Sequence, residues 1–326
     1  MGRSILVTGG AGYIGSHAVL ALLERGFEVY VVDDLSTGHA ALVDKRAHFV
    51  EAGIADTVRV DQLIRDAGID SVMHFAGSII VSESMADPIK YYRTNVAGSI
   101  ELIRTAVDAG VKHFVFSSSA AVYGRAERVP ISETDPCQPI NPYGWSKLII
   151  EKMLEDVAKV SSISFAALRY FNVAGADTAR RSGQISKVST HLIKVGVEAA
   201  LGKRDKIEIF GSDYDTADGT AVRDYVHVSD LADVHVLALE WLHAHPGENL
   251  TLNCGYGKGY SVAEVLEAVN RHSHRKLNVV RADRRAGDPD ALVASNARVL
   301  ERLDWKPRFA SLDQMINDAI EWERLL

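Results

Sequence analysis

The opening of the chain is the feature that most restricts its fold. Residues 4–8 (SILVT) form a short apolar, strand-like run, and Gly9-Gly10-Ala11-Gly12-Tyr13-Ile14-Gly15 follows directly. Residues 14–25 then read as a helix, which Gly26 ends by reaching the left-handed conformation cheaply. Glycines 9, 12 and 15 give the spacing G-x-x-G-x-x-G. The spacing differs from the common G-x-G-x-x-G, but the mechanics are similar. The glycines permit a tight turn, close approach of backbone to a pyrophosphate, and close helix–strand packing. The helix N-terminus then aims amides and a positive dipole end at the phosphates. Glycine turns are common, so the weight lies in the strand before and the helix after. Asp33 ends a second strand-like run (28–32, EVYVV), 18 residues after Gly15. A carboxylate there can accept hydrogen bonds from the adenosine ribose hydroxyls. It would repel a 2′-phosphate, and Asp34-Leu35-Ser36 offers no arginine to compensate. The expected cofactor is NAD rather than NADP.

The alternation continues. Strands are expected at 48–51, 71–75, 112–118 and 163–170, with helical stretches at 58–67, 91–109 and 143–159 between them. Strands alternating with helices predict an α/β fold: a Rossmann-type doubly wound parallel sheet covered on both faces. The rhythm changes after about residue 174. Residues 178–186 read as a loop, 189–201, 229–243, 261–271 and 312–325 as helices, and 207–210 and 250–253 as strands. The expected organisation is an NAD-binding domain over 1–174 and a smaller C-terminal α/β substrate lobe over 175–326. The chain is expected to return to the first domain near 225–250.

Charge and cysteine content narrow the class. The formal net charge of −7 argues against a nucleic-acid binder, which normally presents a basic face. Two cysteines, Cys137 and Cys254, are too few for a disulfide framework, and no clustered Cys/His pattern suggests a metal. No apolar run has the eighteen or so residues that span a membrane. The strand-like run beginning at Ser4 leaves no room for a signal peptide, so a cytoplasmic location is expected.

Of eleven tyrosines, only Tyr143 has a lysine four residues later, Lys147. In a helix the two share a face. A nearby ammonium and an oxidised nicotinamide both favour the phenolate, so Tyr143 is expected to act as a general base near neutral pH. Ser117-Ser118-Ser119 ends the fifth strand, where open α/β sheets bind ligands.

This order of fingerprint, strand-end serine and Tyr-x-x-x-Lys resembles the extended short-chain dehydrogenase/reductase superfamily. Three stretches resemble the UDP-glucose 4-epimerase family within it: residues 8–17 (TGGAGYIGSH), residues 117–124 (SSSAAVYG) with 141–147 (NPYGWSK), and residues 210–233 (FGSDYDTADGTAVRDYVHVSDLAD). The last is the longest and most specific. The resemblance implies C4 epimerisation of a UDP-hexose through a transient 4-keto sugar, with NAD bound throughout, in a homodimer packed through 91–109 and 143–159. It implies Ser119, Tyr143 and Lys147 as catalytic residues. It implies cofactor contacts from Gly9, Gly12, Tyr13, Ile14, Gly15, Asp33, Asp34, Ser36, Gly53, Ile54, Phe75, Ala76, Gly77, Asn95, Ser117, Tyr170 and Phe171, as well as from Tyr143 and Lys147. The UDP-sugar would be held by Ser119, Asn172, His191, Leu192, Phe210, Arg223, Arg285, Asp288 and Leu292, with the two arginines neutralising the diphosphate.

Departures from the family pattern are informative. Ala52-Gly53-Ile54 stands where many relatives carry Gly-Asp-Ile, and the missing carboxylate would lose a hydrogen bond to the adenine amino group. Ile79 stands where a lysine often touches the phosphates. Lys194 replaces a frequent proline. Leu292 falls near a position where, the resemblance implies, a small residue goes with tolerance of N-acetylated sugars; leucine is intermediate, which leaves UDP-N-acetylglucosamine as an alternative substrate, and UDP-pentoses are also left open. A nucleotide-sugar dehydratase needs acids after the strand-five serine, and Ala120-Ala121 stands there. A redox sensor that binds NAD without turnover would normally lack the Tyr143/Lys147 pair.

Overall fold

The computed structural model describes residues 4–186, 189–273, 275–284 and 288–326. Six strands of the first half are β1 (Ser4–Thr8), β2 (Glu28–Asp33), β3 (His48–Glu51), β4 (Ser71–His74), β5 (His113–Ser117) and β6 (Ser164–Tyr170). They lie in the order 3-2-1-4-5-6, all parallel, and the later strand Leu250–Cys254 adds beside β6. The order reverses between β1 and β4, so a crevice opens at the carboxyl ends of the strands there.

Period-two alternation builds both faces of this sheet. Ile5, Val7, Met73, Val115, Ala166 and Leu168 face a core formed with the helices Tyr13–Glu24 and Val228–Ala244. Leu6, Val72, Phe114, Phe116, Phe165 and Ala167 face the helices Thr57–Asp66, Gly98–Asp108 and Pro142–Val160. A further core gathers Ile193, Val197, Val265, Leu266, Met315 and Ile316 from the helices Leu192–Ala200, Val262–His272 and Leu312–Glu323.

The expected strands 207–210 and 250–253 are present, and the C-terminal half also holds strands that periodicity alone does not predict. Val222–His227 pairs with Asn172–Ala174, Gly259–Ser261 and Ala291–Leu292, and Ile207–Phe210 pairs with Val279–Ala282. The reason is chemical. Val222–His227 buries a carboxylate, Asp224, which accepts the amides of Tyr256 (3.0 Å), Gly257 (2.9 Å) and Ala294 (3.2 Å). A strand whose inward group is an aspartate does not read as apolar alternation.

The expected helix over 91–109 also differs. Pro88–Tyr91 and Gly98–Asp108 are α-helical, and Tyr92–Ala97 between them is wound as a π-helix. Such widened turns recur at functional sites.

Candidate active site

The glycine turn is packed too closely for side chains. Gly9 has φ 73°, and a Cβ there would lie 2.6 Å from the amide nitrogen of Ala76. A Cβ on Gly15 would lie 2.2 Å from the Gly9 carbonyl. The helix Tyr13–Glu24 has Gly12 at its N-cap, no side-chain cap and no acid in its first turn. No side chain of the helix itself therefore compensates its positive end. At the tip of β2, Asp33 accepts the amides of Ala11 and Leu35, each at 2.9 Å. Burial pushes its carboxyl up and these two donors pull it down, with a net rise. Asp34 beside it is exposed and accepts the Ser36 amide at 2.9 Å. A bare cradle at a helix N-terminus beside a strand-end carboxylate fits a dinucleotide. NAD would be held by Gly9, Gly12, Tyr13, Ile14, Gly15 and Asp33.

The loop after β4 closes the cradle. The Phe75 amide donates to the Thr8 carbonyl at 2.9 Å, and the ring packs 4.8 Å from that of His235. Gly77 has φ 152°, and a Cβ on it would lie 3.0 Å from Asn95 Oδ1. Asn95, inside the π-helical turn, accepts from the Ser78 amide (2.8 Å) and donates to the Ser78 carbonyl and Ser146 Oγ (both 3.0 Å). Its amide thus fixes the Gly77–Ser78 backbone. Ile54 packs where a Cβ on Gly98 would come within 3.1 Å of it, whereas a Cβ on Gly53 would meet nothing within 4 Å.

Across the crevice, the helix Pro142–Val160 starts at Asn141, whose side chain accepts the Gly144 amide. Proline in its first turn and the Asn141 cap fix where its first turn begins. Tyr143 and Lys147 therefore share one buried face. Lys147 Nζ donates to the Ser117 carbonyl at 2.9 Å and sits 5.0 Å from the centroid of Phe116 and 5.9 Å from that of Tyr143. Burial lowers Lys147 to about 8, against the raising influence of Glu151 one turn further on. Ser119 Oγ accepts the Ala121 amide at 3.2 Å and, on the Tyr143 side, pulls that phenol's pKa down. Burial, reinforced by Tyr170 and Tyr91, nonetheless holds the Tyr143 phenol well above its ordinary value. The expectation of a phenolate near neutral pH rests also on the charge of an oxidised nicotinamide, which these protein groups do not include. Lys147 stands beside the ring, but in protein surroundings alone the desolvation of a phenolate outweighs that attraction.

A buried network behind this face was not anticipated. Glu151 accepts from Ser118 Oγ and twice from Arg169 Nε (3.0 and 3.2 Å). Arg169 also donates to the Tyr123 hydroxyl (2.9 Å), which donates to Asn253 Oδ1 (2.7 Å). The carboxyl ends of β5, β6 and Leu250–Cys254 are thereby tied to the helix Pro142–Val160. The spacing of Tyr143, Lys147 and Glu151, four residues each, is the sequence signal that places Glu151 on the same face.

Between the cradle and the C-terminal half lies a cleft of about 690 Å³. Tyr13, Ile14, Ser119, Tyr143, Tyr170, Phe171, Asn172, His191, Leu192, Arg223, Asp288 and Leu292 line it. Tyr13 spans to the other side, its hydroxyl donating to the Gly175 carbonyl at 2.7 Å. Arg223 Nη1 donates to the Val222 carbonyl (2.8 Å), and Leu292 stands in register with Arg223. Phe210 ends its strand in register with Ala282. Arg285 lies outside the described residues. Gln184, Trp322 and Glu323 also line the cleft, and no local pattern marks them. Among the described residues no group of three or more His, Cys, Asp or Glu could hold a metal ion, and no helix is long and apolar enough to cross a membrane.

The sequence profile of the NAD dependent epimerase/dehydratase family matches residues 5–255. The chain is 50% identical over 322 residues to the UDP-glucose 4-epimerase of Azospirillum brasilense, spanning 99% of this chain and 92% of that one. Its structure is similar to the UDP-glucose-4-epimerase of Stenotrophomonas maltophila with bound NAD and formylated UDP-arabinopyranose (TM-score 0.95, 38% identity, 99% and 98% of the two chains). It is also similar to the UDP-Glc/GlcNAc 4-epimerase of Campylobacter jejuni (TM-score 0.87, 41% identity, all of both chains).

Proposed function

The chain belongs to the NAD dependent epimerase/dehydratase family, and from that premise we propose its activity: NAD-dependent epimerisation at C4 of a UDP-hexose, interconverting UDP-glucose and UDP-galactose. One observation supports this most. Ser119 and Tyr143 line the same cleft as Tyr13 and Ile14 of the glycine turn, and Lys147 stands behind Tyr143 on the Ser117 carbonyl at the carboxyl end of β5.

Bound NAD supplies a hydride acceptor and donor for C4 and, when oxidised, a positive charge that favours the Tyr143 phenolate. The protein does the rest. Ser119 holds the sugar 4-oxygen, and Tyr143 takes the 4-hydroxyl proton and later returns it. Lys147 keeps an ammonium beside the phenol, held in place by the Ser117 carbonyl. Arg223 and Arg285 neutralise the diphosphate, and Asp288 and Phe210 hold the uridine. Anchoring through the nucleotide leaves the 4-keto sugar free to turn over, because that binding energy does not depend on which sugar face is presented. Elimination of water has no proton donor after Ser119, since Ala120 and Ala121 follow it.

Leu292 lines the cleft and favours a second reading, tolerance of N-acetylated hexoses. The reading extends to a cytoplasmic homodimer. Ile100, Trp145 and Ile149 are exposed on the helices expected to meet a second copy. The test is NMR of the products formed from a panel of UDP-sugars. UDP-glucose should yield UDP-galactose with no build-up of reduced nicotinamide absorbance. Build-up in step with turnover would make the protein a dehydrogenase, and absence of product would make it a binder only.

A further inference from the structure

Lys194 stands where the family pattern often has proline, and the structure gives it work that a proline cannot do. It lies in the first turn of the helix Leu192–Ala200, 7% exposed, on the wall of the cleft. Its ammonium pairs with Glu323 in the last turn of the helix Leu312–Glu323, and Glu198 lies 3.7 Å away. It also donates to the Gln184 carbonyl at 3.3 Å. The same carbonyl accepts the Trp322 indole N–H at 3.3 Å. Trp322 covers Gly183 so closely that a Cβ there would lie 2.4 Å from the ring. Gln184 Nε2 in turn lies 3.5 Å from Nδ1 of His191, a ring that burial disfavours from protonating. Lys203 anchors Glu323 from its other side, donating at 2.8 Å to both its carboxylate and its carbonyl.

Docking of the last helix does not require this pair. Met315, Ile316 and Ile320 already bury that helix in the C-terminal core. A buried ion pair adds little net stability over apolar side chains of similar volume, but it does fix register. Here both charges line the cleft, and the cation ends on a carbonyl whose own side chain reaches a cleft-lining histidine.

We propose that Lys194 and Glu323 form a latch that holds Gln184 and His191 in position against the sugar nucleotide. They are positioning residues for substrate, resting on the reading that this cleft takes a UDP-sugar.

The test compares wild type, Lys194→Met and the double variant Lys194→Met/Glu323→Met in the full-length, NAD-loaded protein. Steady-state kinetics with UDP-glucose and thermal unfolding are measured on each. Lys194→Met is expected to raise KM about tenfold with kcat within about twofold, the pattern of lost uniform binding. The double variant removes both buried charges together and leaves Lys203 the backbone carbonyl. It should regain thermal stability yet keep the raised KM. Calorimetric binding of UDP-glucose in a Tyr143→Phe background should weaken by the same factor. An unchanged KM in Lys194→Met overturns the latch. So does a double variant that recovers KM together with stability, since docking alone would then explain the pair. Wild-type protein that fails to epimerise UDP-glucose overturns the functional reading itself, a separate outcome from either.

Discussion

Gly53 offers a test in which function should improve. The family resemblance implies an aspartate there in many relatives, an acceptor for the adenine amino group that Gly53 does not supply. Gly53 is half-buried, its φ lies outside the left-handed region, and a Cβ on it would meet nothing within 4 Å. Gly53→Asp therefore needs no backbone movement. One hydrogen bond of this kind contributes roughly 0.5–1.5 kcal/mol net. The lower half of that range is expected, because Asp33 is close: the Ala52 amide donates to the Asp33 carbonyl at 3.1 Å, and two carboxylates at one end of the adenosine site repel. At about 1.4 kcal/mol per tenfold, the gain is roughly two- to fivefold in Kd for NAD. A separate effect acts without NAD. Restricting the unfolded chain at a glycine stabilises by about 0.4–1 kcal/mol. The assay is calorimetric titration of NAD into protein stripped of cofactor, with thermal unfolding alongside. A Kd that stays the same or weakens while the stripped protein gains stability would refute the placement of adenine beside Gly53.

Other consequences follow from the same geometry. Tyr143→Phe is expected to lower kcat by about 10²–10⁴-fold, the usual contribution of a general base, with circular dichroism unchanged and most NAD binding kept. Because burial lowers Lys147 to about 8, its ammonium is present below that pH and lost above it, so kcat should fall as pH rises through about 8. Glu151→Gln removes the charge that raises Lys147, so this alkaline limb should move to lower pH. It also leaves Arg169 without its buried partner, which should destabilise the fold by about 3–5 kcal/mol in denaturant titration. Trp145→Lys places a charge on the exposed face of the catalytic helix, and sedimentation should shift from dimer towards monomer; wild-type protein that sediments only as monomer at micromolar concentration would remove the dimer.

The sheet was legible because its side chains obey a simple period. Ile5 and Val7 go to one core and Leu6 to the other, and Phe114, Val115 and Phe116 divide in the same way. The cradle was legible because glycine is required where a Cβ would strike backbone, as at Gly9 and Gly15. Tyr143 and Lys147 were legible because helical spacing fixes their common face. The network behind them was not, since Glu151, Arg169, Tyr123 and Asn253 lie far apart in sequence. The strand Val222–His227 escaped because Asp224 points inward and is satisfied by three loop amides. The π-helical turn at Tyr92–Ala97 escaped because an inserted residue leaves the amphipathic pattern on either side intact. Lys194 and Glu323 meet across 129 positions, a distance over which no local pattern operates.

The central claim is that the Tyr143 phenol moves only the proton on the sugar oxygen, while the hydrogen on C4 travels as a hydride that water never sees. UDP-glucose carrying deuterium at C4, taken to equilibrium in ordinary water and read by NMR, tests this directly. The predicted result is UDP-galactose with the deuterium retained at C4. Deuterium lost to solvent from C4 would show proton abstraction at carbon and would contradict the assignment of Tyr143.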